Sequence, residues 1–198
     1  MNFNIIFKLN RFQNILFKPS QEWIEIKNEN HSNKNIFLTF LLPFGFLIFA
    51  SCIFGYSRTF FAPFYFIILS SIITAITSIV GIYLASYIIT KIAKYFSNIV
   101  DFNSTLKLIA YSSIFTLVLS ILTGLIPEIK KISIIGLYSI YIMWSGLEIM
   151  LETPQEKKIN FLILSTVILI LSYFVVAKTL SISINPVFWY NLVKFIGY

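Results

Sequence analysis

The chain has one cysteine, Cys52, and one histidine, His31, among 198 residues. A lone cysteine excludes an intrachain disulfide, a Cys-rich metal site and a Cys-x-x-Cys redox motif. Cys52 sits among Ala50, Ser51 and Ile53 and reads as a small structural residue of an apolar run. His31 lies among Asn, Ser and Lys and reads as a solvated loop residue. HExxH, GxSxG and Gly-rich phosphate loops are absent as well. No catalytic constellation emerges, so no enzymatic activity, metal or cofactor is expected. Charge is scarce too: DEKR make up 12% of the chain, about half the roughly 25% of an average soluble domain. With 58% apolar residues, too little polar surface remains to coat a water-soluble globule. Ordinary cytosolic enzymes, disordered chains and collagen-like chains are thereby excluded.

What the chain does have is long apolar runs. Five of them, near 36–55, 62–90, 106–126, 132–151 and 159–180, match the roughly 20 helical residues needed to cross about 30 Å of hydrocarbon. None alternates with period two, and in lipid an unpaired backbone must be helical. The expected fold is therefore all-α: a polytopic membrane protein with a five-transmembrane-helix bundle over 36–180. A short amphipathic leader, 1–35, precedes the bundle, and an interfacial tail, 181–198, follows it.

The formal net charge of +7 is a matter of orientation here, and no nucleic-acid partner is expected. Fifteen Lys and Arg divide ten to five across the membrane. Lys8, Arg11, Lys18, Lys27 and Lys34 precede the first span, Lys91, Lys94 and Lys107 follow the second, and Lys157 and Lys158 follow the fourth. Arg58, Lys130, Lys131, Lys178 and Lys194 fall on the other side. The excess places the N-terminus in the cytoplasm, and five spans send the C-terminus outside. Basic residues between apolar runs also face anionic lipid head groups, so membrane lipids are expected partners.

In the leader, Ile5, Leu9, Phe12 and Leu16 recur at helical spacing, a pattern suited to a helix lying on the cytoplasmic leaflet. Pro19 and Ser20 read as a second helix start, with Glu22 and Glu25 in the early turns where the helix dipole favours carboxylates. Pro19, Glu22 and Trp23 are the candidate partner-contact residues of this exposed, polar segment. In the tail, Phe188, Trp189, Tyr190, Phe195 and Tyr198 suit the outer interface.

Inside the spans, two stripes of small and hydroxyl residues stand out: Ser70, Thr74, Ser78 and Gly81 in the second, and Ser112, Thr116, Ser120 and Gly124 in the third. Such faces let membrane helices approach closely, so packing against each other or against neighbours is expected, and a polar path between the two spans is the alternative. Glu148 is the one acidic residue about a turn inside a span, which makes it a functional candidate by default. Its spacing from Glu152 points both toward the basic loop of Lys91 and Lys94, so a snorkelling or ion-paired structural role is expected.

Several segments together carry a resemblance. They are the leader Phe17-Lys18-Pro19-Ser20-Gln21-Glu22-Trp23-Ile24-Glu25-Ile26, the third-span opening Leu106-Lys107-Leu108-Ile109-Ala110-Tyr111-Ser112 with its closing Ile126-Pro127, and the fourth-span run from Leu137 to Leu147 followed by Thr153-Pro154-Gln155-Glu156-Lys157-Lys158. In order and spacing they resemble the Yip family of Ypt/Rab-interacting membrane proteins, in its prokaryotic branch, over roughly 15–180. The resemblance implies a five-helix bundle with a cytoplasmic N-terminus, in keeping with the charge count. Eukaryotic members are linked to Rab GTPases and vesicle traffic, but this chain has Lys18-Pro19-Ser20 in place of an Asp-Leu-Tyr-Gly-Pro type leader, so no Rab-type GTPase partner is expected. The expected role is a non-enzymatic scaffold or adaptor in the bacterial inner membrane, meeting other membrane proteins or further copies of itself. The alternative is a small transporter, channel or lipid-handling protein.

Overall fold

In the computed structural model, which describes residues 11, 13–29, 32–59, 64–126, 129 and 136–182, every regular element among those residues is a helix. The leader helix α1 (Pro19–Asn28) starts where Pro19 and Ser20 suggest, with Pro at the first turn and Glu22 behind it. Next, α2 (Asn33–Ile36) is capped by Ser32, whose hydroxyl accepts from the Asn35 N–H. It runs through a π-helical turn (Phe37–Leu41) into α3 (Leu42–Thr59). Pro43 accounts for the wide turn: it has no N–H to give, and its ring excludes the carbonyl four residues back.

The second expected span is α4 (Phe64–Ala93), and the fifth is α8 (Gln155–Ile182), which starts four residues earlier than the apolar run suggested. The third is broken. It begins at α5 (Phe102–Ser112), where Asp101 caps the Ser104 N–H at 2.8 Å, and continues as α6 (Ile114–Leu125) after a bend of 44°. The Ser112-Ser113 pair makes the break. The Ser112 hydroxyl donates back to the carbonyls of Leu108 and Ile109, at 2.7 and 3.2 Å, and such back-bonding opens the ladder and bends a helix.

Among the described residues, three helical stretches are long and apolar enough to cross a membrane, Asn33–Arg58, Phe64–Ala93 and Gln155–Ile182, and α5 with α6 makes a fourth if counted as one bent span. The expected fourth span is α7 (Tyr138–Leu151) among the described residues. Its 14 residues rise about 21 Å, short of the roughly 30 Å of hydrocarbon. The expected start of that span at 132 lies outside the described residues, as do positions 1–10 and 12 of the leader, His31, Pro63 and the tail from 183.

The packing places α5 at the centre. Every residue from Thr105 to Ser112 is buried, against α4 on one side and α7 on the other. The long α4 lies against both α8 and α3, while α6 packs on α3 and α1 lies across α7. Outward faces carry exposed Phe46, Phe54, Ile76, Ile170 and Phe174. A water-soluble bundle would bury such residues. Here they form the apolar belt that lipid requires.

Candidate functional site

The leader is fastened to the bundle, and Trp23 is the anchor. On α1, Pro19, Glu22, Trp23 and Ile26 share the buried face. Trp23 is fully buried, and its indole Nε1 donates to the Ile142 carbonyl and to the Ser145 hydroxyl, both at 3.1 Å. Gly146 makes the room: a Cβ there would stand 2.6 Å from the Trp23 ring and from the Leu108 side chain. Tyr111 of α5 meets the indole edge-on, with ring centroids 6.5 Å apart.

Charge closes over this anchor. Arg11 donates from Nε to Glu22 at 3.0 Å and from both terminal nitrogens to Glu29, and its guanidinium lies 5.8 Å from the centre of the Tyr111 ring. Burial works against the charge on Arg11, but the bidentate pairing with Glu29 wins and holds its pKa above the ordinary arginine value. Lys107, itself buried, donates to the carbonyls of Ile26 and Glu29 at the C-terminal end of α1, where a cation complements the helix dipole. Two further contacts tie the rim: Tyr138 donates to the Leu16 carbonyl at 2.6 Å, and Lys27 pairs with Glu152 at 2.9 Å. The last pair is exposed and contributes about 0–1 kcal/mol.

Pro19, Glu22 and Trp23, expected on an exposed segment, are buried here: this face of α1 packs on the chain's own bundle. Among the described leader residues, the large apolar side chains left exposed are Phe17 and Ile24, at 81% and 55%.

Glu148 does not face Lys91 and Lys94. Glu152 takes a left-handed conformation, φ 51°, which ends α7 and turns the chain into α8. That turn sends Glu152 to Lys27 and brings Lys158 and Gln155 of α8 to Glu148, at 3.1 and 2.6 Å. The Lys91 and Lys94 ammonium groups lie over the rings of Tyr87 and Tyr95 instead.

The two hydroxyl stripes part company. Thr74, Ser78 and Ser120 donate to the carbonyl four residues earlier on their own helix, so these hydroxyls are satisfied locally. Ser70 is exposed, and Ser112 is consumed by the break described above. Gly81 admits the ring of Tyr173 from α8; a Cβ there would meet it at 2.8 Å. Thr116 pairs with Ser139 of α7 at 2.8 Å. Gly124 faces Ser51, Cys52 and Gly55 of α3. Ser51 and Gly55 were not anticipated as a packing pair, although their i, i+4 spacing of small residues is the signal that marks one.

Among the described residues, no group of three or more His, Cys, Asp or Glu stands ready to hold a metal. A family model of the Yip1 domain matches residues 14–177. That range takes in α1, the Trp23 anchor and nearly all of α8. No curated protein and no solved structure matches the chain.

Proposed function

Since the chain belongs to the Yip1-domain family, as a match over residues 14–177 shows, and is an integral membrane protein, we propose that it acts as a non-enzymatic scaffold or adaptor. The observation that carries this reading is the docked leader. A segment rich in polar residues is held against the bundle by a buried Trp, an Arg pairing two carboxylates and a Lys on carbonyls. It thereby holds Phe17 and Ile24 outward in fixed positions, as an adaptor needs. The site chosen for interaction is thus the outward side of the leader, Ile24 on α1 and Phe17 just before it, not Trp23. The proposed setting is the bacterial inner membrane, with other membrane proteins or further copies of the chain as partners.

In this proposal the chain crosses the membrane five times, α7 together with the residues before it supplying the fourth crossing. The N-terminus is cytoplasmic and the C-terminus outside, in accord with the ten-to-five division of Lys and Arg. A reporter active only outside the cytoplasm, fused after Tyr198, is expected to be active; a cytoplasmic reporter active at that position would overturn the topology. For the adaptor role, a photo-crosslinking residue at Phe17 or Ile24 in whole cells is expected to give a discrete, reproducible protein adduct. Lipid adducts alone at both positions would reject it.

A further inference from the structure

Beside α1, at the polar end of α7, lies an open cleft of about 380 Å³. Tyr141, Trp144, Ser145 and Glu148 line it from α7, Ser20 from α1 and Lys158 from α8. The α7 positions recur at helical spacing, so they form one wall running along the helix. Seven residues separate Glu148 from Tyr141, a rise of about 10 Å from the polar end toward the apolar middle of the bundle. A ligand lying in the cleft therefore meets a charged pair at one end and aromatic rings at the other. That is the profile of an amphipathic molecule.

The charged end selects a cation. The Lys158 ammonium is spent: its side chain is 6% exposed, it pairs with Glu148 Oε2 at 3.1 Å, and it rests 4.5 Å from the centre of the Trp144 ring. Glu148 is 53% exposed. Both its hydrogen bonds, from Lys158 and Gln155, fall on Oε2. Among the described residues no hydrogen bond falls on Oε1, which leaves it an open acceptor on a half-exposed side chain that lines the cleft. An incoming N–H of a primary ammonium satisfies that oxygen with a charge-assisted hydrogen bond; a quaternary ammonium has no proton to give. Around it, the Ser20 hydroxyl, the Tyr141 hydroxyl and the Trp144 indole N–H have no hydrogen-bond partner within the described chain. They are donors suited to phosphate oxygens.

We propose that this cleft binds the headgroup of an aminophospholipid, phosphoethanolamine with its glycerol, with the ammonium on Glu148 and the phosphate among Ser20, Tyr141 and Trp144. This stands apart from the adaptor role, which concerns the outward side of the leader, and the two can fail separately. The test uses the purified full chain in a non-ionic detergent with equimolar phosphatidylethanolamine, phosphatidylcholine and phosphatidylglycerol of identical acyl chains. Lipid retained by the protein is counted by mass spectrometry. Phosphatidylethanolamine is expected to be retained about tenfold over phosphatidylcholine, the yield of one charge-assisted hydrogen bond. Glu148→Gln should bring the two lipids level.

A series of N-methylated phosphatidylethanolamines needs no variant, so it decides the question even if Glu148→Gln does not fold. Retention should fall sharply when the last N–H is lost. Free O-phosphoethanolamine at the same concentration should not displace the lipid. Equal retention of the two zwitterionic lipids, or a flat methylation series, would overturn the proposal. So would a preference for phosphatidylglycerol, which would make Lys158 the reading group. Full displacement by the free headgroup would overturn the lipid assignment in favour of a soluble amine phosphate.

Discussion

Trp23→Ala is expected to lift α1 off the bundle while the long helices stay packed. Trp23 is fully buried between Ile142, Gly146 and Tyr111, and truncation of such a side chain costs about 3–5 kcal/mol. The loss is amplified by Lys107, whose ammonium donates to the last carbonyls of α1. When α1 leaves, that buried cation loses its partners, and an uncompensated buried charge is among the costliest defects. Amide hydrogen exchange over 19–28 should therefore quicken at least about a hundredfold, with little change in α4 and α8. Trp23→Phe keeps most of the ring volume and forfeits the indole donor, a change of about 1 kcal/mol. Trp23→Ala and Lys107→Met should be non-additive, since both act through one docked helix. Unchanged exchange in Trp23→Ala would mean that the charged contacts alone hold the leader.

The apolar runs made the helices legible because lipid admits few alternatives: α4 and α8 lie close to where hydropathy placed them. The break in the third run was not read there: Ser112 looked like part of a packing stripe, while its hydroxyl bonds back to the Leu108 and Ile109 carbonyls instead. The destination of the leader was not legible. An amphipathic helix with Trp23 and Ile26 on one face fits lipid, a partner or its own bundle equally well by periodicity, and only Gly146, a gap on α7, marks the third choice. The partners of Glu148 were hidden for a different reason. Helical spacing puts Glu148 and Glu152 on one face, but the left-handed turn at Glu152 takes that residue out of the helix. An unusual backbone angle at a glutamate leaves no compositional trace. The hydroxyl stripes show the same limit: spacing located the small residues but said nothing of which helix each would meet.

The closest such meeting carries the second large effect. A Cβ built on Gly55 of α3 would stand 1.8 Å from the carbonyl oxygen of Gly124 on α6, with the Leu125 carbonyl at 3.1 Å. Both obstacles are main-chain atoms, so no rotamer change relieves them and the two helices must part. Between membrane helices the attraction is mostly close van der Waals contact, which parting forfeits along the whole seam. Gly55→Ala is therefore expected to reach or exceed the top of the roughly 1–3 kcal/mol range for overpacking, read as a lower thermal midpoint in detergent. Gly124→Ala makes the instructive contrast. Its Cβ would press first on the Ser51 hydroxyl at 2.5 Å, then on Cys52 Sγ at 3.1 Å and the Cys52 nitrogen at 3.2 Å. The first two are side-chain atoms, and the Ser51 hydroxyl can rotate away by giving up its bond to the Ile48 carbonyl. The penalty should be the smaller of the two, and Ser51→Ala should relieve part of it while doing nothing for Gly55→Ala. Equal penalties, or a Gly55→Ala protein that melts with the wild type, would mean that α3 and α6 do not meet through these two glycines.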